Sequence, residues 1–493
     1  MTVQQNALMK RAFILFAALL LSPLPTLQAG RPNILHIHAD DHRADGSRAL
    51  GNPMLQTPNL DSLVERGMTF KHCYTMGSMI GAVCTPSRTM MLTGRSWLRI
   101  PGAPDAKPNA REPMTFMPRV LESAGYQTWH MGKYGNGFPA ALKEFQTTIN
   151  DDAKGDDPTT DRTHSSQRLA DGTILFLQSR GNTSDAKPFY IYIAPPVPHD
   201  PRSAEPQFHR LYDPARITLS PAFMPQHPFD NGEMTVRDEA LAPWPRTPED
   251  TKQQNADYYA CVTGLDHHIG RIFAELKASG QWENTIIIFS ADNGLSLGEH
   301  GLFGKQNLYE FGGMHVPLVV AGPGIVKGQS EALVYLMDLF TTFADFARAG
   351  VPEGVEGISL RPIAEGKQTK VRDVLYTAYR DRQRAIRDNR WKLIRYPLVD
   401  RTQLFDLSAD PLELNNLADK PEQKAKLAEM TELLKKEMAA HADDFPLTVA
   451  NPKSGEWSPP APGSGPTKRA KRPISGDEKV TPAKEKKKAT TIK

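Results

Sequence analysis

Pro32-Asn33-Ile34-Leu35-His36-Ile37-His38-Ala39-Asp40-Asp41 is a short apolar run with alternating histidines, and it stops at two consecutive carboxylates. Such a run reads as a buried β-strand whose C-terminal end carries Asp40 and Asp41. Far along the chain, Thr285-Ile286-Ile287-Ile288-Phe289-Ser290 repeats the pattern and also ends at a polar pair, Asp292-Asn293. Residues 126–131, 189–194 (FYIYIA) and 316–321 read as further strands. Helices are expected between them. Residues 59–67 carry Leu60, Leu63 and Val64 at helical spacing and close on Gly67, and residues 118–125 have Pro near the first turn and Gly after the end. Residues 256–280 place Val262, Leu265, Ile269, Ile272 and Phe273 on one side. Strands alternating with helices predict an α/β fold with a large, mostly parallel central sheet flanked by helices. Ligands of such sheets lie outside the carboxyl ends of the strands, where both polar pairs fall.

The remainder of the chain is organised around this unit. The expected catalytic domain spans 30–370. Residues 371–445 differ, with short strand-like pieces at 374–376, 391–394 and 403–405 and a charged helix over 422–441. They predict a smaller C-terminal α+β subdomain with an antiparallel sheet. Residues 446–493 are rich in Pro, Gly, Ser and Lys, and such a segment buries too little apolar surface to order itself. The net charge of +3 is therefore an uneven average: Lys453 to Lys493 carry +7 and the rest −4. A basic tail leaves open a weak association with acidic polymers, but the folded part gives no case for nucleic acid. At the other end, Lys10-Arg11, an apolar run over 12–21, a proline break and Leu27-Gln28-Ala29 describe a secretory signal over residues 1–29. That run is shorter than the about 20 residues a membrane span needs, and no later stretch is long and apolar enough. The expected location is secreted or periplasmic. Three cysteines argue against a disulfide scaffold. Cys73 and Cys261 can pair or stay free.

The segment Gly81-Ala82-Val83-Cys84-Thr85-Pro86-Ser87-Arg88, followed by Leu92-Thr93-Gly94-Arg95, carries the chemistry. Pro86 and Arg88 suggest a turn into a helix, where backbone N–H groups and a guanidinium favour an anion. A lone Cys is most often a small buried side chain, and a free thiol outside the cell is open to oxidation. Cys-x-Pro-Ser-Arg with Leu-Thr-Gly-Arg resembles the signature of the formylglycine-dependent sulfatases of the alkaline phosphatase-like superfamily. The resemblance implies that a formylglycine-generating maturation enzyme oxidises Cys84 to an aldehyde during export. Its hydrate then attacks the sulfur of a sulfate ester.

Other segments extend the resemblance from about residue 31 to about 445. Oxygen ligands such as Asp40, Asp41, Asp292 and Asn293 suit a hard cation. The family places one Ca²⁺ on these four positions, in contact with residue 84. Lys133 in Gly132-Lys133-Tyr134-Gly135 matches a sulfate-binding lysine, but Gly135 stands where the family often has His, with His130, His72 or a water as substitutes. His199, in a Pro-rich loop after strand 189–194, and Lys305, in Gly304-Lys305, match further sulfate contacts. His300 is as readily structural as functional, and His315 replaces a common Arg. The catalytic set expected is thus Cys84, Arg88, Lys133, His199 and Lys305, acting on sulfated carbohydrate. The alternatives are a phosphate or phosphonate monoester hydrolase of the same superfamily, or a calcium- and glycan-binding homologue impaired in catalysis. Loops at 101–115, 150–165 and 200–255 are expected to shape specificity.

Overall fold

The computed structural model describes residues 30–100, 114–152, 163–180 and 187–460. The expected signal segment, most of the basic tail and parts of two expected specificity loops lie outside the described residues.

In chain order the principal elements are β1 (Asn33–Ala39), α1 (Pro58–Arg66), β2 (Met68–Tyr74), β3 (Gly77–Ser78), α2 (Cys84–Thr93), α3 (Met117–Ser123), β4 (Gln127–Gly132), β5 (Thr147–Asn150), α4 (Ser165–Ser179) and β6 (Phe189–Ala194). They continue with α5 (Pro248–Ala278), β7 (Thr285–Ala291), β8 (His315–Val316), β9 (Leu318–Ala321), β10 (Gly328–Tyr335) and α6 (Asp338–Ala347). The C-terminal part holds β11 (Leu375–Tyr379), β12 (Gln383–Arg387), β13 (Trp391–Tyr396), β14 (Arg401–Asp406) and α7 (Lys424–Ala440).

The large sheet has nine strands in the order β10-β2-β9-β7-β1-β6-β4-β5, with β8 paired to β2. The run from β7 to β5 is parallel throughout, as is β10 with β2. Only β9 and the two-residue β8 run against their neighbours. Pro317, between β8 and β9, interrupts what the sequence presents as one strand over 316–321. The central strands β1, β6 and β7 are buried over their whole length, which is why they read as continuous apolar runs. Helices α1 and α4 pack on α5, while α2 and α3 pack on α6.

The second sheet, β14-β13-β12-β11-β3, is antiparallel except for its last pairing. That pairing joins the C-terminal strands to Gly77–Ser78, a few residues before Cys84. An apolar cluster shared by Val83, Met90, Leu302, Tyr379, Ile386 and Leu434 fuses this sheet and α7 to the site-bearing loops. The subdomain is therefore built into one wall of the catalytic unit. Pro446–Pro460, expected as the start of an unordered tail, departs from that expectation. Lys453 N–H donates to Leu398 O, Asp230 N–H to Gly455 O, and the Gln226 amide to Trp457 O. Trp457 also packs edge-on against Trp244, so two tryptophans supply the apolar anchorage that the segment's composition conceals. Cys73 and Cys261 are both free and buried.

Candidate active site

Parallel pairing explains why distant polar residues meet. Register sets Ala39 of β1 beside Ala291 of β7, so Asp40 and Asp292 leave the sheet side by side. It likewise sets Gly132 of β4 beside Ala194 of β6, so Lys133 and the His199 loop emerge from adjacent strands. Gly132 has φ 126° and an added Cβ would strike Ala194 O, so only glycine lets Lys133 leave at this angle. Asp40 N–H donates to Val197 O and His199 N–H to Asp40 O at 3.0 Å, which ties the Pro-rich loop to the first carboxylate.

Cys84 opens α2 and is 4% exposed. Its Sγ lies 3.4 Å from Asp40 Oδ1, 3.7 Å from Asp41 Oδ1 and 3.2 Å from Lys305 Nζ. Burial, reinforced by Asp292, pushes the thiol pKa far above its usual range, so the thiol is no nucleophile at neutral pH. One turn on, the wholly buried Arg88 donates from Nε to Asp292 Oδ2 at 2.9 Å and from Nη1 to the Tyr192 hydroxyl at 2.9 Å. Lys133 Nζ donates to Asp40 Oδ2 at 2.6 Å, and Lys305 Nζ to Asp41 Oδ1 at 2.6 Å.

Three carboxylates are thus interleaved with three cations, all of them buried. Burial alone would raise the Asp40 pKa, but Lys133, His199 and Arg88 hold it well below the carboxylate range. At Asp292 burial prevails and the pKa rises despite Arg88. Burial would lower both lysines, yet Asp40 keeps Lys133 protonated and Asp41 does the same for Lys305. His199 Nε2 stands 3.8 Å from Asp41 Oδ2 and its Nδ1 lies 2.7 Å from Asp200 O. Burial lowers its basicity, but Asp41 and Asp40 outweigh that and raise it.

The donor set fits a divalent cation. Ligand atoms of Asp40, Asp41, Cys84 and His199 all lie within 4.8 Å of one another, and Asp292 Oδ1 accepts from Asp41 N–H at the same point. Asn293 donates from Nδ2 to Asp41 Oδ1 at 2.7 Å, while its buried Oδ1 has no partner among the described residues. Hard oxygen donors around an unsatisfied amide oxygen match Ca²⁺ chemistry.

All nine residues singled out in the sequence therefore converge. The substitutes considered for the histidine absent at Gly135 do not. His130 packs between Phe145 and Tyr192, and His72 pairs with Glu331 at 2.9 Å. Instead, Asp152 accepts from the N–H groups of Tyr134 and Gly135, so a carboxylate caps the loop at this position. His300 stacks on Tyr309 at 4.0 Å and His315 on Tyr74 at 4.6 Å, so both are packing residues. Tyr192 and Gln306 carried no mark in the sequence, and Arg237 and Asp238 were covered only by the expectation that residues 200–255 shape specificity. Only Asp200, adjacent to His199, stood where position pointed to it.

Buried cations and a carboxylate cluster able to hold a metal ion meet at the carboxyl ends of a mostly parallel sheet, an arrangement that suits hydrolysis of an anionic ester. The chain belongs to the sulfatase family, the hydrolases of sulfuric esters: residues 32–349 match the family described as Sulfatase. Residues 298–441 match that described as N-sulphoglucosamine sulphohydrolase, C-terminal. Among its relatives, an N-acetylglucosamine-6-O-sulfatase of Bacteroides thetaiotaomicron is 27% identical, covering 84% of this chain and 88% of the relative. A choline-sulfatase of Rhizobium meliloti is 29% identical over 87% and 91% of the two chains. The fold is similar to that of a protein solved in complex with its substrate D-glucosamine-2-N,6-O-disulfate (TM-score 0.73, 24% identity, 85% of this chain and 99% of the other). It is also similar to a phosphonate monoester hydrolase of Agrobacterium radiobacter (TM-score 0.69, 22% identity, 83% and 96% covered).

Proposed function

We propose that the protein is a calcium-dependent sulfatase of sulfated carbohydrates, exported and matured by oxidation of Cys84 to formylglycine. The observation that carries this reading is residue 84 itself. It is a buried Cys at the start of α2, with Asp40, Asp41 and Lys305 gathered within 3.7 Å of its Sγ. Hydrated formylglycine supplies the missing hydroxyl nucleophile, and Ca²⁺ when bound supplies Lewis-acid stabilisation of sulfate charge.

The chain's own residues do the remainder. Asp40, Asp41, Asp292 and Asn293 would hold the cation beside residue 84. Arg88, fixed by Asp292 and Tyr192, orients that cluster from its buried side. Lys133 and Lys305 present ammonium groups to the sulfate oxygens. His199, 3.8 Å from Asp41 Oδ2 on the outer side, would hand a proton to the departing alcohol, a contribution of roughly 10²–10⁴-fold. Support for a carbohydrate leaving group comes from the glucosamine-type relatives named above.

The test is co-expression with a maturation enzyme, mass spectrometry of the residue-84 peptide, and sulfate release from an aryl sulfate and a panel of sulfated sugars. Phosphate and phosphonate esters are assayed in parallel, because the fold is shared with phosphonate hydrolases. Calcium is tested separately by its effect on the melting temperature, because a bound ion stabilises the fold by RT ln(1 + [L]/Kd). An oxidised residue 84 with sugar sulfate turnover and a calcium-dependent melting temperature is expected. Faster phosphonate than sulfate turnover would reassign the substrate, and an unmodified thiol with no sulfate released would leave a binding protein.

A further inference from the structure

Exposure grades the site by depth. The side chain of Arg88 is 0% exposed, Lys305 4%, Lys133 6% and His199 10%, whereas that of Arg237 is 61% exposed. Yet Arg237 belongs to the same cluster, because its Nη2 is 3.4 Å from His199 Nε2. It lies on the outer side of the residue facing the departing alcohol. There it is held in place: Nη1 donates to Asp200 Oδ2 at 3.0 Å and Nη2 donates to Asp238 Oδ1. Asp238 in turn accepts from Gln306 Nε2 at 2.8 Å, and the Gln306 Oε1 accepts from the Lys305 N–H at 3.0 Å. An exposed arginine clamped by two carboxylates and braced through the sulfate-facing lysine loop is a preformed feature of the site mouth.

Its charge balance decides what it recognises. A lone guanidinium would recruit a second anion, but here one positive charge is shared with the two carboxylates Asp200 and Asp238. Both Nη atoms are already engaged by carboxylates, so the guanidinium is not offered bare to another sulfate or a uronate. What the pair offers is donors of a planar fork beside acceptor oxygens. That combination fits hydroxyl groups, each both donor and acceptor.

We propose that Arg237 and Asp200 form the wall of the leaving-group subsite and read neutral hydroxyls of the sugar that bears the sulfate. This rests on the carbohydrate reading above.

The experiment uses the matured, calcium-loaded full chain. Wild type, Arg237→Ala and Arg237→Lys are compared on 4-nitrophenyl sulfate, N-acetylglucosamine 6-sulfate and glucosamine-2-N,6-O-disulfate. For Arg237→Ala, kcat/KM on both sugars is expected to fall by about 10–100-fold, through loss of a paired polar contact. On the aryl ester, which has no hydroxyl at the mouth, the loss is expected to be at least about 10-fold smaller than on the sugars, what remains being the effect on His199. Arg237→Lys, which keeps the charge but not the fork, is expected to follow Arg237→Ala and decides the matter if the alanine variant fails to fold. Equal losses on all three substrates, no loss on any, a loss confined to the disulfated sugar, or full rescue by Lys would each overturn the proposal. A wild type that cleaves the aryl ester but no sulfated sugar would instead remove the carbohydrate reading, and this proposal with it.

Discussion

On the proposed reading position 84 carries the nucleophile, and its surroundings say what its loss should do. Its thiol touches Asp40, Asp41 and Lys305 but supports little of the core. Cys84→Ala should therefore lower sulfate release by on the order of 10⁴-fold or more, since no neighbour replaces a missing nucleophile. Removing one buried sulfur should cost no more than about 1.5 kcal/mol, a small shift in melting temperature. Cys84→Ser should lose most activity too, unless the maturation enzyme accepts serine. A fully active alanine variant would refute the assignment of residue 84. Asp40, Asp41, Asp292 and Asn293 were legible as strand-end oxygens, whereas the roles of Cys84, Arg88, Lys133, His199 and Lys305 came from the resemblance to the sulfatase motifs. Asp152, Arg237 and Asp238 were not legible. Asp152 sits in a loop and Arg237 and Asp238 open a single 3-10 turn, too short for periodicity, and their partners (the Gly135 amide, Asp200, Gln306) are met only in three dimensions.

At the scale of elements, α2 shows what the extended motif is for. Gly94 ends the helix at φ 67°, its N–H donating to Met90 O at 2.8 Å, and the chain turns so that Arg95 reaches Glu353 O. A Cβ there would come within 2.7 Å of Val355 and 2.9 Å of Phe340. Gly94→Ala is expected to destabilise the fold by about 2–4 kcal/mol, from left-handed backbone strain plus overpacking. Thermal melting checks this against Gly350→Ala, where a Cβ meets nothing within 4 Å and little change is expected. Equal melting temperatures for the two variants would remove the helix-stop explanation. The same scale shows where sequence patterns fall silent. Helix α5 begins earlier than its apolar spacing suggests, because Thr247 caps it and polar residues fill its first turns. Strand β12, Gln383–Arg387, is wholly buried yet shows no apolar alternation. Arg384 pairs with Asp443, Arg387 with Glu310, and the Gln383 amide donates to Gln306 O, so ion pairs and hydrogen bonds take the place of hydrophobic burial.

Across the whole molecule, polar side chains buried without charge set a limit on acid stability. His36 and His130 lie in the core of the large sheet, and His227 and His300 lie under the loops that join it to the C-terminal sheet. Burial, aided by Arg88, lowers His36 and His130 to about 3. Burial alone lowers His227 to about 4, and burial with His227 nearby lowers His300 to about 3. Each is neutral in the fold, while in the unfolded chain each takes up a proton near the ordinary value of about 6.5. Below that pH the unfolded state binds more protons than the native one, so stability falls as pH falls and is fully present only above about 6.5. At its steepest the loss is about 1.4 kcal/mol per histidine per pH unit, roughly 5 kcal/mol for the four together. That is comparable to the whole margin of an ordinary domain, about 5–15 kcal/mol. The melting temperature should therefore be level between pH 7.5 and 6.5, and should then drop steeply by pH 5, before most carboxylates titrate. Calorimetry across that range decides it, because a melting temperature that holds level down to pH 4.5 would mean that these rings reach water, and that the two sheets are not sealed together by the packing that now buries them.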